Sequence, residues 1–335
     1  MTSSPERSTA RRREVTVALQ TDKTPQEYAT LAQVAERCGF DGVSVFADLG
    51  FQPPAPAMTC IAGATRRVRL GVACHSPAHT HPVDIAAQVA TLDLFSGGRA
   101  YCGLARGAWL DGLGVPPAGG LDRLTESVAA IRLLLAGDDR GHDGRYVQVP
   151  AGFRLQYPLP AGPADMLIGT WGRRTARRAG DLGVQEVKIG GTANPAMIGL
   201  MRSWLPSEVR VVAGAVTVCD RDGDRARALA RRQVCLYLDV VGGLDPTLEI
   251  DPALLHRLRT LVASPTDDDA RRAADLVDDP LLDAFTFAGT PEQIAAHAGA
   301  CLDAGADRIE FGTPHGIDPV GGIELLGTIV PGLRG

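Results

Sequence analysis

Lysine is almost missing from this chain of 335 residues: only Lys23 and Lys188 occur, although lysine and arginine together number 34. An arginine bias of that kind is expected of a GC-rich bacterial genome rather than of a function. Positive charge is also missing in net, since the formal charge is −5. No global basic field is there to attract nucleic acid. Aromatic residues make up only 5% of the chain, yet 45% is hydrophobic, enough for a large core. No apolar run approaches the length of a membrane span. Cysteine is present seven times, at Cys38, Cys60, Cys74, Cys102, Cys219, Cys235 and Cys301, but never as CxxC. That odd, scattered set suits reduced thiols, points to a cytoplasmic protein and leaves no zinc site to expect. Residues 1–13 are polar and basic and lack the apolar stretch of a signal peptide, so they read as a disordered tail.

What is there is alternation. Short apolar runs, each followed by a longer pattern of helical spacing, recur along the chain. Strands are expected at Val15–Gln20, Gly42–Phe46, Val68–Ala73, Ala100–Ala105, Asp165–Gly169, Val184–Ile189, Val209–Val218 and Asp307–Phe311. Helices are expected between them, among them Gln26–Cys38, Pro82–Phe95, Leu121–Ala136 and Arg173–Leu182. Two stretches break the rhythm and read as insertions that shape a substrate pocket, about 137–163, with a hairpin around Tyr146–Val149, and about 236–287. Eight parallel strands in strict alternation with helices argue for a (β/α)₈ TIM barrel, one domain over 14–335. The alternative, an open doubly wound sheet, usually shows GxGxxG after its first strand, where this chain has Gln20-Thr21-Asp22-Lys23.

In a parallel barrel the loops that follow the strands gather at one mouth. Those loops supply Gln20, then Asp48, then Cys74-His75-Ser76-Pro77 with His79 and His81, then Arg106-Gly107 and Trp109. Further on come Thr170-Trp171-Gly172-Arg173, Gly190-Gly191 and Gly312-Thr313-Pro314-His315. Glycine loops that run into helices suit phosphate, because helix amino termini present free N–H groups and partial positive charge. Thr170-Trp171-Gly172 with Arg173 is the best such cradle; the same glycines also serve tight turns. His79 and His81 stand two apart, not at the spacing of a helical metal pair, so no metal is expected. Asp48, His75 and His79 are the candidate proton donors, with Asp48 preferred for its place at a strand's carboxyl end. A turn-capping carboxylate is the plain alternative for Asp48, and a helix-start role for His81. There is no GxSxG elbow, and Cys74 beside His75 is a weak nucleophile candidate, since adjacent residues on an extended segment point to opposite faces.

Several segments carry a resemblance: GFDGVSVFADLGF (Gly39–Phe51), ATRRVRLGVACHSPAHTHP (Ala64–Pro82), LDLFSGGRAYCGLARGAW (Leu92–Trp109), GTWGRRTARRAG (Gly169–Gly180), and AGTPEQIAAH with GADRIEFGTPHGIDP near the end. Together they resemble the bacterial luciferase-like superfamily of flavin- and deazaflavin-dependent oxidoreductases, and within it the methylenetetrahydromethanopterin reductase-like branch. The resemblance implies the barrel, a 5-deazaflavin coenzyme (F420), and hydride transfer to or from a small organic substrate, by reduction of a C=N or an activated C=C bond. It implies a non-proline cis peptide near Ala73–Cys74 behind the ring, with His75 and Arg106 beside the coenzyme. Phosphate contacts would map onto Thr170, Trp171, Gly172, Arg173, Gly190 and Gly191. A homodimer is expected as well. The chain departs from the pattern at Ala108, Thr80, Ser44 and Trp171, changes expected near the pocket, so the substrate need not be a pterin. An FMN-dependent monooxygenase on the same fold is the alternative activity, and a barrel that only binds a ligand or partner is the third.

Overall fold

Branched and small apolar residues at every second position make short strands here, because one face of each must meet helices. The computed structural model describes residues 12–108, 110, 114, 119–159, 164–263 and 266–335. Its strands are β1 (Glu14–Leu19), β2 (Gly42–Val45), β3 (Arg69–His75), β4 (Ala100–Ala105), β5 (His142–Asp143), β6 (Gln148–Val149), β7 (Asp165–Gly169), β8 (Glu186–Gly190), β9 (Arg210–Cys219), β10 (Thr286–Gly289) and β11 (Arg308–His315). β5 and β6 form the antiparallel hairpin expected in the first insertion.

The other strands are parallel and eight of them close into a (β/α)₈ barrel, in the order β1-β2-β3-β4-β7-β8-β9-β11. Closure is made by β11 on β1, with Val17 opposite Phe311, and by β8 on β9, with Lys188 opposite Val212. The ninth, β10, takes over β9 where β8 leaves it: β8 covers Arg210 to Gly214 and β10 covers Val216 to Cys219. This four-residue strand escapes sequence reading, since Thr286–Gly289 is too short to show a period and abuts the capping box of Thr290 and Gln293.

One helix differs from expectation. The expected helix Arg173–Leu182 stops at Arg177 and continues as turns to Gly183. Two helices, Pro252–Val262 and Asp267–Asp275, stand in the second insertion.

The hydrophobic core lies between the barrel and its helices. Val15, Val17, Val43, Leu70, Val72, Cys102, Ile168, Val187, Val211, Ile309 and Phe311 all face that layer. The alternate residues point inward, and they are different in kind. Glu14, Arg69, Glu186, Arg210 and Arg308 cluster at the amino-terminal end, with Arg308 donating to Glu186 at 2.9 Å and Arg210 to Glu14 at 2.7 Å. Tyr101, Leu167 and Val212 form a small apolar plug. Where Tyr101 crosses the barrel no side chain fits opposite: a methyl on Gly71 would lie 2.5 Å from its ring.

Candidate functional site

Above that plug sits a buried ion pair. Lys188 donates to Glu310, both nearly inaccessible, and Ser44 Oγ donates to the other Glu310 oxygen at 2.9 Å. Lys188 Nζ also lies 5.2 Å from the centroid of Phe46. Despite burial, Lys188 and Arg308 hold the Glu310 carboxyl below the usual carboxylate range. Ser44 therefore belongs to the barrel interior rather than to the pocket margin.

The carboxyl ends of β1 and β2 place Gln20 and Asp48 next to this pair. Gln20 is fixed by its own oxygen, which accepts from the Thr21 N–H at 2.8 Å. Its amide nitrogen then faces outward and donates to Asp48 Oδ2 at 2.9 Å. The same nitrogen lies 3.5 Å from the Tyr237 hydroxyl, brought in by the helix Gly223–Val241. Burial raises the Asp48 pKa, and the Gln20 hydrogen bond and the Lys188 charge pull it partly back. Burial also pushes Tyr237 up to about 12, so its phenol stays neutral.

β3 ends in an irregularity between Val72 and His75, and the Ala73–Cys74 peptide within it is cis. A second cis bond, Thr313–Pro314, stands in the corresponding irregular end of β11, so the expected loop at Gly312–His315 is a continuation of that strand. Burial pushes the Cys74 thiol up to about 11, which leaves it protonated and removes it as a ready nucleophile. His75 is buried and pushed down to about 4, hence neutral. His79 sits exposed in the following turn and is lowered by partial burial, with Thr80 Oγ1 at 3.1 Å from its ring. His81 caps the helix Pro82–Ser96, its Nδ1 accepting from Val83 N–H at 3.2 Å. Ser76 Oγ donates to the Arg106 carbonyl at 2.9 Å and so ties the loops after β3 and β4.

The loops after β7 and β8 are tied to each other. Trp171 Nε1 donates to the Gly190 carbonyl at 3.0 Å, and Thr170 Oγ1 accepts from Gly172 N–H at 3.1 Å. The Trp171 ring lies 6.5 Å from that of Phe285. Neither Gly172 nor Gly190 is required by packing. A methyl on Gly172 would meet only Thr170 Oγ1 at 3.7 Å, and one on Gly190 only Lys188 Cε at 3.9 Å. Gly172 has an ordinary φ of −93°, and Gly190 is not among the left-handed glycines, unlike Gly191 at +84°. Two glycines that neither sterics nor backbone conformation demand leave an open, backbone-lined cradle.

The mouth therefore gathers Asp48, Ala73, Cys74, His75, Arg106, Thr170, Trp171, Gly172, Arg173, Gly190 and Gly191, all at strand carboxyl ends. His79 is exposed on the turn after β3. Trp109 lies outside the described residues, as do residues 1–11 of the amino-terminal segment. Among the described residues no group of histidine, cysteine and acid side chains is placed to hold a metal ion. No described helix is long and apolar enough to cross a membrane. The interior set Lys188, Glu310 and Tyr237 was not anticipated as part of the site. One signal for it existed: Lys188 is one of only two lysines, and both it and Glu310 interrupt apolar strands.

With that geometry in view, comparison with known proteins is informative. A family model described as luciferase-like monooxygenase matches residues 7–308. A 5,10-methylenetetrahydromethanopterin reductase of Methanolobus tindarius is 28% identical over 319 residues, covering 91% of this chain and 95% of that protein. An F420-dependent glucose-6-phosphate dehydrogenase of Amycolatopsis mediterranei is 26% identical over 305 residues, covering 87% and 89%. In fold, the chain matches the structure of the coenzyme F420 dependent tetrahydromethanopterin reductase from Methanopyrus kandleri with a TM-score of 0.85 at 22% identity, over 97% of this chain and all of that one.

Proposed function

From the premise that this chain belongs to the luciferase-like monooxygenase family, we propose that it is a coenzyme F420-dependent oxidoreductase. It moves a hydride between the deazaflavin and a small organic substrate, by reduction of a C=N or an activated C=C bond. The observation that carries this reading is the open glycine cradle at Gly172 and Gly190, tied together by Trp171, at the same mouth as the Ala73–Cys74 bulge. Relatives named for coenzyme F420 or its pterin reductase support it.

The residues divide by task. Thr170, Trp171, Gly172, Arg173, Gly190 and Gly191 hold the phosphate, where uncrowded backbone and a guanidinium suit an anion. Ala73, Cys74 and His75 line the ring side, with Arg106 on the neighbouring loop. When bound, the deazaflavin supplies the hydride chemistry; the protein orients the reactants and manages the proton. Reduction of C=N or C=C consumes one proton beyond the hydride, and Asp48 delivers it. Among the three candidate donors only Asp48 is shifted toward keeping its proton; His75 and His79 are shifted toward losing theirs. Gln20 holds one Asp48 oxygen, leaving the other to carry the proton. A cytoplasmic homodimer, one barrel domain over 14–335, is part of the same proposal. The uncharged helix Pro54–Ala64 and the exposed Leu94 and Phe95 support an interface on that side.

Fluorescence titration with purified coenzyme tests the reading. Wild-type protein binds the deazaflavin, and a panel of imines and enones bleaches or restores its visible absorbance. Gly190→Ala leaves unfolding unchanged within about 0.5 kcal/mol, as expected away from tight packing, but weakens coenzyme binding at least about tenfold. Tight FMN binding in place of the deazaflavin, or an unaffected Gly190→Ala, overturns it.

A further inference from the structure

Gln20 brings two proton-bearing side chains together from two directions. Its oxygen accepts from the Thr21 N–H at 2.8 Å, so its amide nitrogen faces outward. That nitrogen donates to Asp48 Oδ2 at 2.9 Å and lies 3.5 Å from the Tyr237 hydroxyl. Asp48 comes from the loop after β2, and Tyr237 from the second insertion, on the helix Gly223–Val241. One turn beyond Tyr237, Val241 packs over the loop after β8, where a methyl on Gly191 would meet its Cγ1 at 3.1 Å. Residues four apart share a helix face. The helix therefore spans the mouth from the Gly191 loop to β1, with Tyr237 turned toward the opening.

The acceptors around this pair are already engaged. Glu310 accepts from Lys188 and from Ser44 Oγ, Asp22 from Lys23, and Asp48 Oδ2 from Gln20. Lys188 adds a positive charge that reaches Asp48. Burial raises the Asp48 pKa and holds the Tyr237 phenol neutral, so each is biased toward carrying a proton. A carboxylic acid and a phenol side by side, near a buried cation, suit an oxygen that gains negative charge. The same set opposes a cation, since a protonated C=N group would meet the Lys188 charge.

Apolar surface accompanies these donors. Phe46, just past the end of β2, is half-buried, with its ring centroid 5.2 Å from Lys188 Nζ. Phe51 follows Asp48 by three residues and is 47% exposed; Leu236 precedes Tyr237 and is 48% exposed. Exposed large apolar groups beside a few convergent polar ones suit a ligand that is mostly hydrocarbon with one polar end.

We propose that the substrate is an uncharged, largely apolar α,β-unsaturated carbonyl compound, and that Asp48 and Tyr237 together hold its carbonyl oxygen. The inference rests on the coenzyme reading above and chooses between the two bond types which that reading leaves open. Hydride added at the β-carbon moves the C=C electron pair toward the carbonyl group and leaves negative charge on its oxygen. Asp48 gives that oxygen a proton while Tyr237 hydrogen-bonds it, and the resulting enol reverts to the saturated carbonyl compound. The reduced coenzyme is the reductant and ends oxidised; water returns the proton to Asp48.

An oxyanion probe tests the donor set without turnover. Coenzyme-free protein is added to para-nitrophenol at a pH just below that of its own ionisation. Its visible phenolate band grows, and the ratio of phenolate to phenol in the bound probe is about tenfold above that in solution, one pKa unit. Tyr237→Phe removes most of that gain and leaves coenzyme affinity as in wild type. Asp48→Asn, which keeps an N–H donor, retains most of the gain, whereas Asp48→Ala does not. With reduced coenzyme, cyclohexenone is saturated with a kcat/KM at least about 10² above that of a pyrroline reduced at C=N, the scale of one oxyanion donor. A probe that binds only as neutral phenol or not at all, a ratio unaltered in Tyr237→Phe, or faster reduction of the pyrroline overturns the inference while the coenzyme reading stands. Where neither compound is turned over, the phenolate titration decides. Failure to bind the deazaflavin overturns the coenzyme reading instead, and the titration, run without coenzyme, still judges the donor set.

Discussion

Removing the ammonium from the barrel interior is the sharpest perturbation the structure offers. Lys188→Met keeps the length of the side chain and deletes its charge. Glu310 is then left 1% exposed with Ser44 Oγ at 2.9 Å and the more distant Arg308 as its support. Breaking one partner of a buried pair costs about 3–5 kcal/mol, because the remaining charge is not solvated. An unfolding entropy of about 2.1 cal/mol/K per residue gives about 0.7 kcal/mol/K for a chain of this length, so the midpoint drops by about 4–7 °C near neutrality.

The pH dependence separates this cause from simple loss of packing. In the wild type the Glu310 carboxyl is held below its ordinary value, so its contribution is present above the unfolded pKa and fades as pH falls. In the variant the folded pKa is raised instead. The burden then exists only where Glu310 must be charged, and it disappears as the pH falls below the unfolded pKa. The gap between wild type and Lys188→Met therefore narrows from neutrality toward about pH 5. Lys188→Met/Glu310→Met removes both charges and recovers most of the loss. Thermal and urea unfolding across this pH range provide the assay. A gap that does not change with pH, or a double variant no better than the single one, refutes the electrostatic account.

Asp48→Asn removes the proposed proton donor: turnover in the reductive direction falls by at least about 10², while coenzyme affinity stays. Because the folded Asp48 pKa is raised, its stabilising contribution is lost as pH rises; the variant is accordingly more stable than wild type at neutral pH, and wild-type reduction slows as pH climbs through that raised pKa. A variant that is active, or less stable at neutral pH, counts against the assignment. Trp171→Phe deletes the 3.0 Å bond to the Gly190 carbonyl and weakens coenzyme binding about fivefold, on the scale of one hydrogen bond; titration showing no change separates the two loops energetically. Gly71→Ala drives a methyl to 2.5 Å from the Tyr101 ring and destabilises by about 1–3 kcal/mol, in contrast to the tolerated Gly190→Ala, as unfolding midpoints of the pair will show.

The strands and most helices were legible because their signal is local. Val15, Val17 and Leu19 repeat with a period of two, and a capping box such as Thr24 with Glu27 lies within a few residues. The eight strands and their closed barrel followed from that rhythm alone. The mouth was legible in outline for the same reason, since strand ends fix which loops converge. What escaped depends on partners far apart in the chain. Glu310 meets Lys188 across 122 residues and Ser44 across 266; Gln20 meets Tyr237 across 217. No periodicity carries such pairings, and a scarcity of lysine read as genome bias concealed the one lysine that matters inside the barrel. The helix Arg173–Arg177 was overestimated because spacing was weighed and like-charge repulsion was not.

The division of labour between the two faces of the sheet explains why the interior is free to be polar. Stability comes from apolar burial between strands and helices, where the large core sits. A buried ion pair adds little to that, so Lys188 and Glu310 are poorly accounted for as struts. They are well accounted for as a floor. A fixed positive charge beneath the mouth lowers the cost of a negative one above it, and both Asp48 and Cys74 feel the Lys188 charge in that sense. Glu310 in turn keeps Lys188 paired, and Ser44, standing on β2, anchors Glu310 from across the barrel. Inward glycines at Gly169, Gly190, Gly214 and Gly312 give the floor its room, one of them 3.1 Å from Lys188 Cε once a methyl is added. The same strands thus carry two codes at alternate positions, apolar outward for the fold and charged or empty inward for the site. A substitution's effect is predicted by which parity it falls on.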